Sequence, residues 1–381
     1  MKWLTKIFNR EVKFNDYPKN ISWMLKDDLS PNIKNLKHCK EFHALIGVKQ
    51  SPKWHKEGDV WNHTLAVSKE MFKLISDKSW FLTDYDKKVL MIAALCHDLG
   101  KATTTYFDKN EQDWKCKNHG YASEQITREL IFDQDINTRE EICWLVRWHM
   151  SFHHILQKTH SEQFQEITRL SQGFSTVEKL LILNLADSRG AKSEDNSEDK
   201  INERLKSITE LAMSNKCYIK PFECYRKSPD CNMYVMIGLP GSGKDTYIKK
   251  FLKDLPCICR DDIREEVEDG QVLGRKLMLD GQGEKAVTNI VNERIKNCCI
   301  NKKDFVINQT SLKKKYRLDF KELAFKYANV NVIYVYVEAP SIQECIDRRG
   351  GGKWNDIIKK MWSCFEFPDK SECNKMIIYK Q

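Results

Sequence analysis

Residues 233–252 read MYVMIGLPGSGKDTYIKKFL. The apolar run MYVMIGL stops at a glycine-rich loop, and TYIKKFLKDL then takes up helical spacing. A strand that runs into such a loop and then a helix is the setting in which glycines cradle phosphate. Gly238, Gly241 and Gly243, with Pro240 and Ser242 between them, let backbone N–H groups turn inward around phosphate oxygens. The helix start adds positive dipole potential, and Lys244 is placed to bridge the terminal phosphates. The bland alternative, a glycine turn that holds no nucleotide, does not account for the strand–loop–helix order. One position departs from the usual pattern: the hydroxyl residue expected after the lysine is Asp245, with Thr246 behind it. A carboxylate is also a hard oxygen ligand, so a Mg²⁺ site that includes Asp245 is expected. The loop predicts an NTP, ATP or GTP, as phosphate donor.

Working outward, CICRDDIR, DFVINQTS and NVIYVYVEA are short apolar runs, each followed by helix-like sequence. Buried runs alternating with helices predict a mostly parallel sheet with helical crossovers over residues 233–381. Upstream the texture differs. Residues 1–190 read as helical throughout, with apolar residues at three- and four-residue steps in VWNHTLAVSKEMFKLIS and KKVLMIAALCHDLG. Residues 191–232 are polar and irregular around one helical segment, INERLKSITELAM, and are read as a linker. At 381 residues, two domains are the prior. The fold class expected is therefore multidomain α and α/β: an all-helical domain followed by a P-loop domain.

Composition narrows the class. Hydrophobic residues at 41% and charged residues at 31% are those of a folding chain. Mean hydropathy is −0.59, and no apolar run approaches the roughly 18 residues needed to span a bilayer. The segment 1–10 lacks the features of a secretion signal, so a cytoplasmic protein without membrane contact is expected. A net charge of +9 permits a nucleic-acid partner and equally suits a merely basic enzyme. The 14 cysteines form no CxxC pair, so buried free thiols are expected rather than a zinc knuckle.

Two further constellations carry chemistry. Arg260-Asp261-Asp262-Ile263-Arg264 ends the apolar run after the glycine loop. A carboxylate at the carboxyl edge of a parallel sheet can take a proton from an incoming hydroxyl, and Arg264, three residues on, can fork onto a phosphate. The competing reading of Asp261 is a helix cap. In the first domain, His63, the doublet His97-Asp98, and Asp187 lie on or near apolar helical stretches. A lone polar group there is usually a satisfied core residue; a His-Asp doublet needs a partner or a metal. Imidazole and carboxylate together suit a divalent transition metal such as Mn²⁺, Ni²⁺ or Co²⁺. His43, His55 and His160 are read as ordinary histidines.

GLPGSGKDT, RDDIR, VINQTSLKKKYR and an arginine-bearing segment before KKMWSCFEFP resemble the kinase domain of the polynucleotide 5′-kinase family. That resemblance implies Asp261 as general base, Arg264 on the acceptor's terminal phosphodiester, and Arg348 or Arg349 as a lid arginine on the donor phosphates. Arg317 is left between an anion contact and a solvated helix face. The order H…HD…D resembles the HD phosphohydrolase superfamily, with a metal held by His63, His97, Asp98 and Asp187. WNHTLAV, CHDLGKATT, NHGYAS and LVRWHM look most like the HD domains appended to tRNA nucleotidyltransferases. This adds His119 and His149 as ligands of a second metal with Asp98 bridging, and Lys101 as a phosphate contact. His153 and His154 rank below His149.

Taken together, the chain resembles the bifunctional HD-domain polynucleotide kinases of RNA end repair. The resemblance implies phosphorylation of 5′-OH ends of RNA or DNA and hydrolysis of 2′,3′-cyclic phosphate or 2′-phosphate ends, with an RNA ligase acting downstream. The runner-up is an HD nucleotide phosphohydrolase fused to a small-molecule or nucleoside kinase. A non-catalytic, nucleotide-gated binding module comes third. The sequence does not fix the oligomeric state.

Overall fold

A computed structural model describes residues 14–80, 82–153, 155–171, 173–193, 197–218, 228–268, 282–369 and 372–380. The segment 1–10 and His154 lie outside the described residues. The chain divides into two compact units, Met1–Lys220 and Pro221–Gln381.

The first unit is built around the helix Asp84–Cys96. Its start is fixed by a capping box in which the Thr83 hydroxyl accepts from the Asp86 N–H and the Asp86 carboxylate accepts from the Thr83 N–H. Every residue from Val89 to Cys96 is buried, so this helix is surrounded. The helices Val60–Ser76, Ile136–Trp148 and Val177–Gly190 pack around it. Each opens on a side-chain cap, Asp59, Asp135 and Thr176 respectively. The short helices Ile33–His38 and Lys40–His43 add Leu36 and Phe42 to the same core.

The helical domain expected from the sequence is present, and it carries one short hairpin besides. Residues Thr105–Asp108 (β1) and Asp113–Cys116 (β2) form an antiparallel hairpin, with Thr105 opposite Cys116 and Phe107 opposite Trp114. The helix Glu198–Tyr218, placed in a linker by the sequence, packs against Val177–Gly190 and His160–Ser171. It thus belongs to the first compact unit.

The second unit is a five-stranded sheet in the order β4-β5-β3-β6-β7, and every pair is parallel. The strands are Cys231–Ile237 (β3), Cys257–Cys259 (β4), Phe305–Asn308 (β5), Val330–Glu338 (β6) and Lys375–Lys380 (β7). The glycine loop leaves the central strand β3, where the layer is most protected: Met233 and Val235 to Ile237 are fully buried. β4 pairs with β5 and not with β3, so Asp261 stands at the carboxyl edge with one strand between it and the loop's own strand. The edge strand β7 was not read from the sequence. Of the 12 cysteines whose side chains are described, all are free, half are buried, and Cys257 is exposed.

Candidate active sites

In the first unit, His97 and Asp98 follow the central helix directly and lie in the core. Gly100 lets the next element come close: a Cβ there would meet His119 O at 2.4 Å and Ser123 N at 2.5 Å. That approach brings His119, at the start of the helix His119–Leu130, against Asp98. His149 enters from the end of Ile136–Trp148, His63 from Val60–Ser76 and Asp187 from Val177–Gly190.

The geometry resolves into two ligand sets that share Asp98. His63, His97 and Asp187 form one set, and Asp98, His119 and His149 the other; within each, one donor atom per residue lies within 4.8 Å of the others. Asp98 Oδ2 is 3.3 Å from His97 Nε2 and 3.6 Å from His63 Nε2. Its Oδ1 is 3.4 Å from His119 Nε2 and 3.8 Å from His149 Nε2. The carboxylate therefore straddles the two sets.

The imidazole tautomers are set from behind. Nδ1 of His97 is 2.8 Å from Ala94 O, that of His119 is 3.0 Å from Cys116 O, and that of His149 is 2.7 Å from Val146 O. A carbonyl only accepts, so each Nδ1 carries the proton and each Nε2 presents a lone pair inward. His63 Nδ1 is 2.8 Å from Glu57 Oε1, and the same oxygen takes His55 Nδ1 at 2.8 Å. His153 Nε2 lies 3.3 Å from Asp187 Oδ2.

Charge follows from this packing. Burial opposes ionisation of Asp98, but His97 and Lys101 outweigh it and hold its carboxyl well below the usual range. Burial likewise opposes the charge on Asp187, and His153 and His63 overcome it. Burial pushes His149 down to about 3, with His119 and His97 adding to the effect. His63 resists the same burial because Asp187 and Glu57 flank it, and it rises to about 9.

These residues fit a pair of divalent metals. Both oxygens of buried Asp98 lack a hydrogen bond of sound geometry, although Lys101 Nζ lies 2.7 Å from Oδ2. His119 Nε2 and His149 Nε2 approach to 3.1 Å with lone pairs facing, which a cation between them would reconcile. The centre forms the floor of a cavity of about 400 Å³, walled in part by Trp54, Trp114, Lys49 and Arg204. His55, read from the sequence as ordinary, belongs to this wall and to the support of His63. Glu57 and Gln50 carry no signal in the sequence, and His153, ranked below His149 there, lines the cavity beside Asp187. Gln50 accepts from Lys101 Nζ at 2.9 Å.

In the second unit, Gly238, Gly241 and Gly243 all take positive φ. At Gly241 (φ +81°) a Cβ would also meet Cys345 O at 2.7 Å, so the loop is both left-handed and pressed against the helix Ile342–Arg348. Lys244 is buried, and its Nζ donates to Gly238 O at 3.0 Å and Leu239 O at 2.8 Å. Burial lowers its pKa to about 8; Asp245 opposes this and the Arg349 charge adds to it. Asp245 is exposed in the first turn of Lys244–Phe251, and its Oδ1 accepts from Asn308 Nδ2 at 2.8 Å. An exposed carboxylate beside phosphate-facing groups fits Mg²⁺, which keeps several waters and takes few protein ligands. Thr246 is exposed and Ser242 is buried.

Asp261 and Arg264 are brought together on one helix, Arg260–Glu268, with Arg264 Nη1 2.6 Å from Asp261 Oδ1. Glu284, from Gln282–Ile300, takes Arg264 Nε at 2.7 Å and Arg260 Nη2 at 2.7 Å, a partner no sequence signal marks. Pro240 sits within the loop. Arg348 Nη1 donates to Gly241 O at 3.2 Å and its Nε to Glu344 at 2.9 Å. Arg349 lies against the Trp354 ring, 5.2 Å from its centroid. Both readings offered for Arg317 are corrected. It is fully buried, forks onto Glu372 (2.7 Å and 3.1 Å), and donates through Nη1 to the carbonyls of Ser311 and Leu312. Neither an anion nor solvent reaches it.

Comparison with known proteins agrees with this division. The HD domain family matches residues 60–201, and the AAA domain family matches residues 233–352. The chain joins an HD domain to a P-loop, kinase-like domain. Among curated relatives, a Multifunctional CCA protein from Shewanella frigidimarina is 39% identical over 103 residues, 25% of this chain and 21% of that protein. One from Mannheimia succiniciproducens is 24% identical over 39% of this chain and 35% of that protein. A third, from Pasteurella multocida, is 42% identical over 17% of this chain and 14% of that protein. The chain thus spans about a third or less of the length of these relatives. A solved protein from Chloroflexus aurantiacus assigned as a kinase is 12% identical over 40% of this chain and 87% of that one, with a TM-score of 0.33. No helix among the described residues is long and apolar enough to cross a membrane.

Proposed function

We propose that this protein heals broken nucleic-acid ends. One domain phosphorylates polynucleotide 5′-hydroxyls from an NTP, and the other hydrolyses 2′,3′-cyclic phosphate or 2′-phosphate at RNA 3′ ends. The observation that carries the reading is the Asp98 carboxylate shared between two imidazole sets at the floor of a cavity, in a chain that also holds a phosphate loop.

In the kinase half, Asp261 takes the proton from the 5′-hydroxyl as its oxygen attacks the γ-phosphorus, and the nucleoside diphosphate leaves. Arg264 turns from Asp261 to hold the acceptor's terminal phosphodiester. Lys244 exchanges its two carbonyl contacts for donor phosphate oxygens. Arg349, whose charge is felt at Lys244, takes the lid role, while Arg348 braces the loop through Gly241 O. Asp245 would hold Mg²⁺, an ion that would supply positive charge beside the donor phosphates.

In the HD half, His63, His97, Asp187 and Asp98 would hold one metal, and Asp98, His119 and His149 a second. Bound metals supply Lewis acidity and water activation. Lys101, kept ionised by Asp98, stabilises negative charge on a non-bridging phosphate oxygen. Bidirectional healing leaves a 5′-phosphate and an unblocked 3′ end, the pair of termini a downstream RNA ligase needs.

The test is one RNA with a 5′-OH and a 2′,3′-cyclic phosphate, incubated with NTP, Mg²⁺ and Mn²⁺. Both termini should change. Lys244→Ala should block only the 5′ event and Asp98→Ala only the 3′ event. No change at either end of this RNA, with turnover of free nucleotides instead, would sink the reading.

A further inference from the structure

We propose that the mouth of the HD-domain cavity is a binding track for the single-stranded segment leading to the 3′ end, with Trp54 and Trp114 as base-stacking platforms and Lys49 and Arg204 as backbone contacts. The proposal rests on the end-healing reading and names what that site grips.

The hairpin is the starting point. Thr105, Phe107, Trp114 and Cys116 share one of its faces, because directly opposed residues point the same way and alternate residues repeat it. Thr105, Trp114 and Cys116 from this face line the cavity. Phe107 extends the face outward; it is 42% exposed and meets Trp114 edge-on at 5.2 Å. The segment before the helix Val60–Ser76 contributes Trp54, also 42% exposed, and the ring carries the Lys53 ammonium 4.6 Å from its centroid. Ser51 Oγ donates to Asp113 Oδ2 at 2.6 Å and ties this segment to the hairpin. The two aromatic walls are thus held in register by a direct bond.

Charge completes the track. Lys49 and Arg204 line the cavity, and neither makes a hydrogen bond or ion pair with the described residues. Lys115, by contrast, is committed to Asp108 and Glu111. Cations with no partner among the described residues, lining the same cavity as the exposed Trp54 and the half-buried Trp114, suit the phosphates and bases of a single strand. The metal ligands at the floor are almost fully buried, so a chain must enter end-first; a duplex is too wide for such a cavity. The aromatic surface continues from Trp114 onto the exposed Phe107 ring, outside the cavity lining. This favours a polynucleotide over a free nucleotide.

The experiment uses the full chain loaded with Mn²⁺ and two substrates: an RNA octamer ending in 2′,3′-cyclic phosphate, and glycerol cyclic phosphate, which has no base. Trp54→Ala and Trp114→Ala should each lower the ratio of kcat/KM on RNA to that on the glycerol ester by about tenfold, carried by KM. Trp54→Phe and Trp114→Phe should recover most of it. Lys49→Ala and Arg204→Ala should each reduce the slope of log(kcat/KM) on RNA against log salt by about 0.7. An unchanged ratio in the tryptophan variants, with wild type still preferring RNA, overturns the track and leaves the end-healing reading standing. An equal fall on both substrates without rescue by Phe means a structural role, and also overturns it. A wild-type enzyme that turns over the glycerol ester but shows no preference for RNA removes the parent reading itself.

Discussion

The Nε2 atoms of His119 and His149 face each other at 3.1 Å, and each ring has its Nδ1 proton committed to a backbone carbonyl. Two lone pairs at that distance repel. Burial and neighbouring charges keep both rings neutral, so protonation does not relieve the contact. A divalent cation does. The expected stoichiometry, measured by plasma mass spectrometry after dialysis, is two metals per chain, falling to one in His119→Ala. Wild type that holds one metal or none at saturating Mn²⁺ would contradict the shared-carboxylate centre.

Glu57 supports that centre from outside it. Its Oε1 accepts from His55 and His63, and its Oε2 accepts from the Lys192 N–H, so one carboxylate sets two rings and ties in the chain after Asp187. A second partner of this kind usually contributes 10- to 100-fold in metal affinity. Glu57→Gln should therefore weaken Mn²⁺ binding by about that factor in competition titration, with the fold retained by circular dichroism. Affinity equal to wild type would mean His63 is oriented by its helix alone.

Much of this was legible from residue types. His63, His97, Asp98 and Asp187 stood out because imidazole and carboxylate interrupt otherwise apolar helices, where an unpaired charge is costly. Glu57 and His55 did not stand out. They lie in a polar loop, SPKWHKEGD, and only the turn of the backbone brings them behind His63. The hairpin escaped for a related reason: TYFD and DWKC are four residues each, too short to show alternation against helical neighbours. Arg317 misled in the other direction. In SLKKKYR it reads as one more surface cation, yet burial against Glu372, a residue 55 positions away, decides its role.

That pair yields a stability prediction. Arg317 and Glu372 are each 0% exposed, so removing one partner strands a buried charge. Arg317→Met should cost about 3–5 kcal/mol in urea unfolding of the second unit, whereas Arg317→Met with Glu372→Leu should recover most of the loss. A destabilisation that the double variant leaves in place would assign the cost to lost packing.

Lys244 gives a pH dependence with a definite sign. Burial brings its pKa down to about 8, so the free protein carries the charged ammonium below that pH and loses it above. Donor phosphates require the charged form. The apparent Kd for NTP should therefore be flat below about 8 and rise about tenfold per pH unit above it, until the pKa of the complex is reached. Calorimetric titration between pH 6 and pH 10 (roughly two units either side) checks this. A flat profile throughout would mean that the lysine's charge is not what holds the phosphate.

Asp245 is the residue where the loop departs from its usual chemistry, and it has two separable effects. Its carboxylate is exposed and accepts from Asn308, and under the proposed kinase role it would take Mg²⁺. The same charge also keeps the Lys244 pKa from falling further. Asp245→Ala removes both, and Asp245→Ser restores a metal-binding oxygen without the charge. Kinase turnover should fall by about 10²-fold or more in the alanine variant and recover in part in the serine variant at high Mg²⁺. The break in the pH profile of NTP binding should move to lower pH in both, since neither returns the carboxylate. Alanine and serine variants with equal turnover would remove the metal role. A pH break that stays at about 8 would remove the electrostatic one.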